Sequence, residues 1–448
     1  MAVGRAEAQA FTNLYNFTAL TSLTNSDGAN STAGLVLDGD TLYGTSQNGG
    51  STGRGSVFAV KTDGTGFMNL HNFINSGDGA NPSASLVLLG GILYGTTQNG
   101  GSLGGGTVFK VNTNGTGFSI LYSFPSGFTN SDGTGPYAPL IVSGNKLYGT
   151  AFGGGVFGYG TVFGVSTNGT GFTNLHSFDF TNGASPTAGL VLAGDTLYGT
   201  AYQGGIAYNG TVFALKTDGT GFTNLHDFNG TNGANPYAGL ILSGSTLYGA
   251  TRYGGGTNTG TLFAINTNGT SLTSLHIFDE VDGTSPNASL ILAGNTLFGT
   301  AYRGGASGKG TVFSVNINGS AFTNHYSFST TAANPPFNNA DGANPVSSLT
   351  MSGNTLYGTT SGGGNSGNGT IFSLALPAAP PQLTINLAGE NVVLKWPTNS
   401  GEFILQSTTN LVSPIVWGTV SPMPVVVTGE NTVTNPTSGT QQFYRLSQ

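Results

Sequence analysis

The tetrapeptide Leu-Tyr-Gly-Thr, or a near copy, occurs seven times, beginning at Leu42, Leu93, Leu147, Leu197, Leu247, Leu297 and Leu356. Successive copies start 50 to 59 residues apart. A period near fifty, built of short apolar runs and glycine turns, requires a repeat architecture with one supersecondary unit per period. A single unit of this kind cannot bury its apolar surface alone, so the copies must pack on one another.

One repeat shows the unit. Residues 188–192 read as a first strand, 196–200 as a second, 211–215 as a third and 222–228 as a fourth. Gly194-Asp195 and Asp218-Gly219 supply turns, and a glycine-rich loop covers 202–210. Asp-Gly and Asn-Gly pairs favour type I′ hairpins. Four strands in about fifty residues, with glycine and aromatic landmarks, match a propeller blade. The strands do not alternate apolar with charged residues, as expected of sheets covered on both faces. The glycine inside the Leu-Tyr-Gly-Thr strand is expected to mark the close approach of another backbone near the axis.

The two ends of the repeat region are complementary. Residues 11–17 copy a fourth strand with no unit before them, and the seventh unit lacks a fourth strand after residue 376. The expected fold is therefore all-β: a seven-bladed β-propeller of four-stranded blades over residues 11–376, closed by the N-terminal strand. Closure removes free sheet edges. Residues 377–381, Pro-Ala-Ala-Pro-Pro, read as a linker. Residues 382–448 read as a small β-sandwich resembling fibronectin type III, with strands at 383–387, 392–396, 403–407, 415–420, 425–427 and 443–446. Trp396 and Trp417, the only tryptophans, are expected in its core.

Composition narrows the function classes. Charged residues make up 6% of the chain and the net charge is −7, against roughly a quarter charged in ordinary globular proteins. Hydrophobic residues at 37%, regularly patterned, point to a packed fold rather than disorder. No Lys/Arg cluster is present, which argues against nucleic-acid binding. The absence of cysteine excludes thiolate metal sites and disulfides. No apolar run reaches the ~18 residues of a membrane-spanning helix. Ala8-Gln9-Ala10 has the small-x-small form of a signal-peptidase site. Residues 1–10 are read as a signal remnant or tag, and the protein is expected to be secreted, extracellular or at the cell surface.

The consensus Pro-x-Ala-x-Leu-Val-x-x-Gly-x-x-Leu-Tyr-Gly-Thr, a Gly-Gly loop, Gly-Thr-Val-Phe and Phe-Thr-x-Leu-His-x-Phe resembles the GloVer tandem repeat over residues 11–376. That resemblance implies a Kelch-like propeller on an exported protein with a surface anchor. It implies no reaction and no catalytic residues. No anchor is evident before Gln448.

In such blades the loops from strand 2 to 3 and from strand 4 to the next strand 1 share one face. The residues that refuse to repeat lie there. Two places after the tetrapeptide the repeats read Gln47, Gln98, Phe152, Tyr202, Arg252, Tyr302 and Ser361, and the next place includes Tyr253 and Arg303. At the start of strand 1 they read Thr32, Ser83, Tyr137, Thr187, Tyr237, Asn287 and Val346. Tyr137, Phe152, Tyr202, Tyr237, Arg252, Tyr253, Tyr302 and Arg303, all in repeats 3–6, are the candidate ligand-binding set. Aromatic faces beside amide and guanidinium donors suit sugar rings, so a polysaccharide or cell-surface glycan is the expected partner. Packing between neighbouring loops is the alternative for the same residues.

Asp279-Glu280-Val281-Asp282 contains the only glutamate of the repeat region. Asp279, Glu280 and Asp282, with Arg252, are the candidate catalytic residues of a polysaccharide hydrolase or lyase. Carboxylate pairs hydrolyse glycosides at separations of roughly 5–10 Å. The same loop is the one candidate for calcium, and no other metal or cofactor is expected. A solvated loop charge is the alternative. The histidines, His71, His176, His226, His276 and His325, fall in the fourth-strand motif and are spread over the repeats, which argues against a metal or catalytic role. The Asx-Gly loops at Asp27, Asp78, Asp132, Asn182, Asn232, Asp282 and Asp341 read as turns. Gly308-Lys309 fails the phosphate-loop pattern because Gly310 follows the lysine. Three readings follow: a carbohydrate-binding or surface-interaction propeller, a polysaccharide-degrading enzyme using the same face, and a scaffold without a ligand.

Overall fold

The computed structural model describes residues 10–377, 382–398, 403–412, 415–436 and 441–447. The expected signal remnant, except Ala10, and the expected linker, except Pro377, lie outside the described residues. Every regular element among them is a strand. Two compact units result, Phe11–Leu374 and a second built on the residues after Leu374.

In the first unit each of the first six repeats contributes a four-stranded antiparallel sheet with its strands in sequence order. The fourth repeat pairs Val191–Ala193, Thr196–Ala201, Thr211–Lys216 and Thr223–Asp227. Its first strand is shorter than the apolar run 188–192 led one to expect, because residues 187–190 run unpaired ahead of it. The seventh sheet is ordered Ala10–Asn16, Thr370–Ala375, Thr355–Thr360, Thr350–Ser352. The N-terminal strand thus supplies the fourth strand that the seventh repeat lacks.

The turns between third and fourth strands are not type I′. Gly219 sits at φ +86°, whereas Asp218 stays outside the left-handed region. The Gly219 N–H donates to the Lys216 carbonyl at 2.9 Å and the Lys216 N–H to the Thr220 carbonyl at 3.0 Å. This is a three-residue loop, a type I turn closed by a glycine bulge. Asp218 Oδ1 locks it by accepting from the Thr220 N–H at 2.8 Å and hydroxyl at 2.7 Å.

Each residue of Leu-Tyr-Gly-Thr has a separate packing task. Leu197 is fully buried, and Tyr198 packs with Leu240, Leu247 and Phe263 of the following repeat. Gly199 lies opposite Phe213 on the adjacent strand. A Cβ on Gly199 would stand 2.6 Å from Phe213 Cζ and 2.8 Å from Leu190 Cδ2. What needs the space is a phenylalanine ring of the same sheet, not another backbone at the axis. The arrangement recurs from Gly44 beneath Phe58 to Gly358 beneath Phe372. Thr200 Oγ1 donates to the Ala238 carbonyl of the next repeat at 3.2 Å. Thr45, Thr96 and Thr150 do the same to Ala84, Ala138 and Ala188, and Thr300 to Ser347. Thr359 completes the series by donating back to Ala33 of the first repeat at 3.1 Å. Ala250, in the one Leu-Tyr-Gly-Ala copy, has no hydroxyl to give.

Rings from the fourth strands add a second series of links. Tyr15 stacks on Phe67, His71 on Phe118, Tyr122 on Phe172, His176 on Phe222, His276 on Phe322 and Tyr326 on Phe11, with centroids 3.5 to 4.1 Å apart. Each stack joins one repeat to its neighbour. Several of these rings also bond the Asx-Gly loops: Tyr15 donates to Asp27 at 2.8 Å, His71 meets Asp78 at 2.9 Å and Tyr326 donates to Asp341 at 2.8 Å. Burial pushes the His71 pKa down, with Asp78 pulling the other way.

The second unit has two antiparallel sheets. One is ordered Thr384–Ala388, Asn391–Pro397, Glu430–Pro436, Val425–Val427, and the other Gly418–Thr419, Ile404–Thr408, Phe443–Ser447. Leu394, Trp396, Leu405, Val420 and Val433 form their shared core. Trp417 does not join it. Its ring is half-buried, with the Arg445 guanidinium 4.3 Å from the centroid. Sequence patterning misses Glu430–Pro436 because its Asn and Thr residues read as a polar loop. The alternation Thr432-Val433-Thr434 was the signal available.

Candidate functional site

The unpaired segments ahead of the first strands line a common cavity of about 790 Å³, within the roughly 300–1,000 Å³ range of small-ligand sites. Thr32, Ser83, Tyr137, Thr187, Tyr237, Asn287 and Val346, one from each repeat, all line it. Small residues follow them and let neighbouring segments bond directly. The Gly34 N–H donates to Ser85 Oγ at 2.8 Å and the Gly239 N–H to Ser289 Oγ at 2.9 Å. Loops after the second strands add Gln47, Arg252, Tyr302, Arg303 and Ser361 to the lining.

Of the eight expected ligand residues, Tyr137, Tyr237, Arg252, Tyr302 and Arg303 line this cavity. Phe152, Tyr202 and Tyr253 do not, but they pack on residues that do. Phe152 lies 5.4 Å from the Tyr137 ring, and Tyr202 stands edge-on to Tyr237 at 5.9 Å. The Arg252 guanidinium lies 5.2 Å from the Tyr253 ring and 5.7 Å from that of Tyr237. Arg303 is 5.4 Å from the Tyr302 ring. Such contacts orient a guanidinium without neutralising it. Burial raises the pKa of Tyr137, Tyr202 and Tyr237, with Arg252 opposing the rise in the last two. These phenols therefore remain protonated hydrogen-bond donors at neutral pH, and Gln98 donates to that of Tyr137.

The acidic loop is used differently. Asp279 Oδ1 accepts the backbone N–H groups of Val281 at 2.8 Å and Asp282 at 2.9 Å. The N–H groups of Asp282 and Val281 hold its carboxyl below the usual range. Asp282 is bonded to His276 at 2.6 Å and accepts the Asp279 N–H. Both acids are thereby committed to shaping their own loop. Glu280 lines a separate cleft of about 470 Å³ with Thr284, Ser285 and Arg303. Asp179 and Asp227 likewise accept backbone N–H groups, from Asn182 and Ile206. Among the described residues no Asp, Glu or His lines the larger cavity. Among the described residues no three His, Asp or Glu side chains gather where they could hold a metal ion.

The lining residues that the sequence did not assign to the site include Lys309, Thr331 and Phe337. Lys309 is visible as a rare charge in a chain with only 11 Lys and Arg. Thr331 and Phe337 belong to the extra segment behind the 59-residue spacing. That insertion was the available signal.

The sequence pattern of the Gloeobacter/Verrucomicrobia repeat matches residues 8–127, 125–268 and 242–399. The chain belongs to this repeat family. Among curated proteins nothing matches it. Among solved structures, oligogalacturonate lyase from Vibrio parahaemolyticus is similar, with a TM-score of 0.53 and 10% identity over 84% of this chain and 96% of that one. An oligogalacturonate lyase in complex with manganese gives a TM-score of 0.51 and 11% identity over 84% and 99%. A putative 6-phosphogluconolactonase from Bacteroides uniformis gives 0.44 and 18% over 67% and 86%. At these identities the two lyases share a fold with this member of the repeat family and no more: a β-propeller of tandem repeats.

Proposed function

We propose that the protein is an exported, carbohydrate-binding β-propeller of seven blades, closed by its N-terminal strand and followed by a fibronectin type III-like module. The saccharide occupies the cavity on the side of repeats 3–6. One observation carries this reading: Tyr137, Tyr237, Arg252, Tyr302 and Arg303 line one cavity together with neutral Ser, Thr and Asn side chains. Sugar rings stack on aromatic faces while their hydroxyls bond the polar groups between them. Export is supported by the small-x-small motif Ala8-Gln9-Ala10 and by the low charge of the composition.

Binding is favoured over catalysis by the chemistry of the lining. A hydrolase needs two opposed carboxylates, and a lyase needs a base of suitable pKa. Among the described residues the lining has no carboxylate or imidazole, and burial raises the pKa of its half-buried Tyr137 and Tyr237. The test is a panel of immobilised and soluble glycans, read for binding and for product release. Binding without products is expected, weakened about tenfold or more by Tyr302→Ala combined with Arg252→Ala. Failure to bind any glycan would reject the reading. Products whose release Glu280→Gln abolishes would replace it with a catalytic one.

A further inference from the structure

The cavity is charged in one sense only. Arg252, Arg303 and Lys309 line it, and among the described residues no Asp or Glu does. This occurs in a chain of net charge −7, so the local sign opposes the global one. Among the described residues these three cations take part in no ion pair, whereas Lys61, Lys216 and Lys395 each meet a carboxylate. Arg252 is steadied by the Tyr237 and Tyr253 rings, yet its Nε is buried without a hydrogen-bond partner. Two further buried atoms of lining residues lack partners, Asn287 Oδ1 and Ser83 Oγ, and Asn287 is only 8% exposed. Leaving a buried polar group unpaired is destabilising. The cavity therefore needs two chemistries at once: a donor for Asn287 Oδ1 and an anion for the guanidinium groups.

We infer that the ligand is an acidic saccharide, whose carboxylate or sulfate is held by Arg252, Arg303 and Lys309 while its hydroxyls serve Asn287 and Ser83. This rests on the cavity being a saccharide site. A sugar acid satisfies both demands, and a neutral glycan leaves the three cations without a counter-charge. Arginine forks suit planar carboxylates and sulfates, and Lys309 adds a point charge.

The test uses the full chain and matched neutral, C6-carboxylate and C6-sulfate oligosaccharides on gluco-, galacto- and manno-configured backbones, measured by titration calorimetry. At least one acidic form should bind about tenfold or more tightly than its neutral match. Its affinity should fall as salt rises from about 0.05 to about 0.5 M, because screening weakens charge pairing. Arg303→Ala should abolish that preference, and Arg303→Lys should keep part of it. The carboxylate and sulfate arms tell which acid is recognised. Neutral forms binding as well as acidic ones, or Arg303→Ala leaving the preference intact, would overturn the inference and leave the saccharide site standing. No binding by any member would overturn both.

Discussion

Tyr237 and Ala238 are neighbours in the chain, but they belong to regions under different constraints. The Ala238 carbonyl accepts the Thr200 hydroxyl across the seam between two sheets, while Tyr237 lines the cavity. At the first position the repeats read Thr, Ser, Tyr, Thr, Tyr, Asn and Val; at the second they read Ala six times and Ser once. A seam residue must fit a copy of the same unit, so any change must suit both partners. A wall residue meets open space and is free to differ. Sameness in this chain therefore marks stability, and difference marks the surface offered to a ligand.

That contrast is broken most severely at the seam aromatics. Phe213→Ala removes a fully buried ring and should lower stability by about 3–5 kcal/mol in denaturant titrations. A loss under about 1 kcal/mol would show that the sheets do not depend on this packing. Next in size is Gly199→Ala. The added methyl meets Phe213 and Leu190, so about 1–3 kcal/mol should be lost through overpacking. The same substitution at Gly194, where a Cβ would meet nothing but φ is +60°, separates backbone strain from ring contact.

A gain sharpens the comparison. Ala250→Thr restores the hydroxyl missing from one seam and should add about 0.5–1.5 kcal/mol by donating to the Ala288 carbonyl. An unchanged denaturation midpoint would mean that the seams are not interchangeable. The smallest effect on folding belongs to the wall. Arg303 is exposed, so Arg303→Ala should shift stability by no more than about 0.5 kcal/mol while removing the preference for an acidic glycan. A large loss of stability there would merge the two regions into one.

Strand positions were legible because apolar runs and glycine turns repeat with the period of the unit. The pairing of Ala10–Asn16 with Thr370–Ala375 was legible as well, since a surplus strand at one end matched a missing one at the other. The Gly199 contact was not. Glycine in a strand reports that space is needed, but not whether a ring or a backbone fills it. Trp417 misled for a related reason: a large ring predicts burial, but its Arg445 partner lies 28 residues further along the chain.

The sequence by itself determined the repeat, the strand order within it and the positions free to vary, because these depend on local periodicity and on copies fitting copies. Only the tertiary structure decided which variable residues meet. Tyr137, Tyr237 and Arg303 come from different repeats and converge on one cavity, while Tyr202 and Tyr253 turn to support it. Asp279 and Asp282 are drawn into their own loop by hydrogen bonds. Convergence across a hundred residues depends on how successive sheets pack, and no local pattern encodes that.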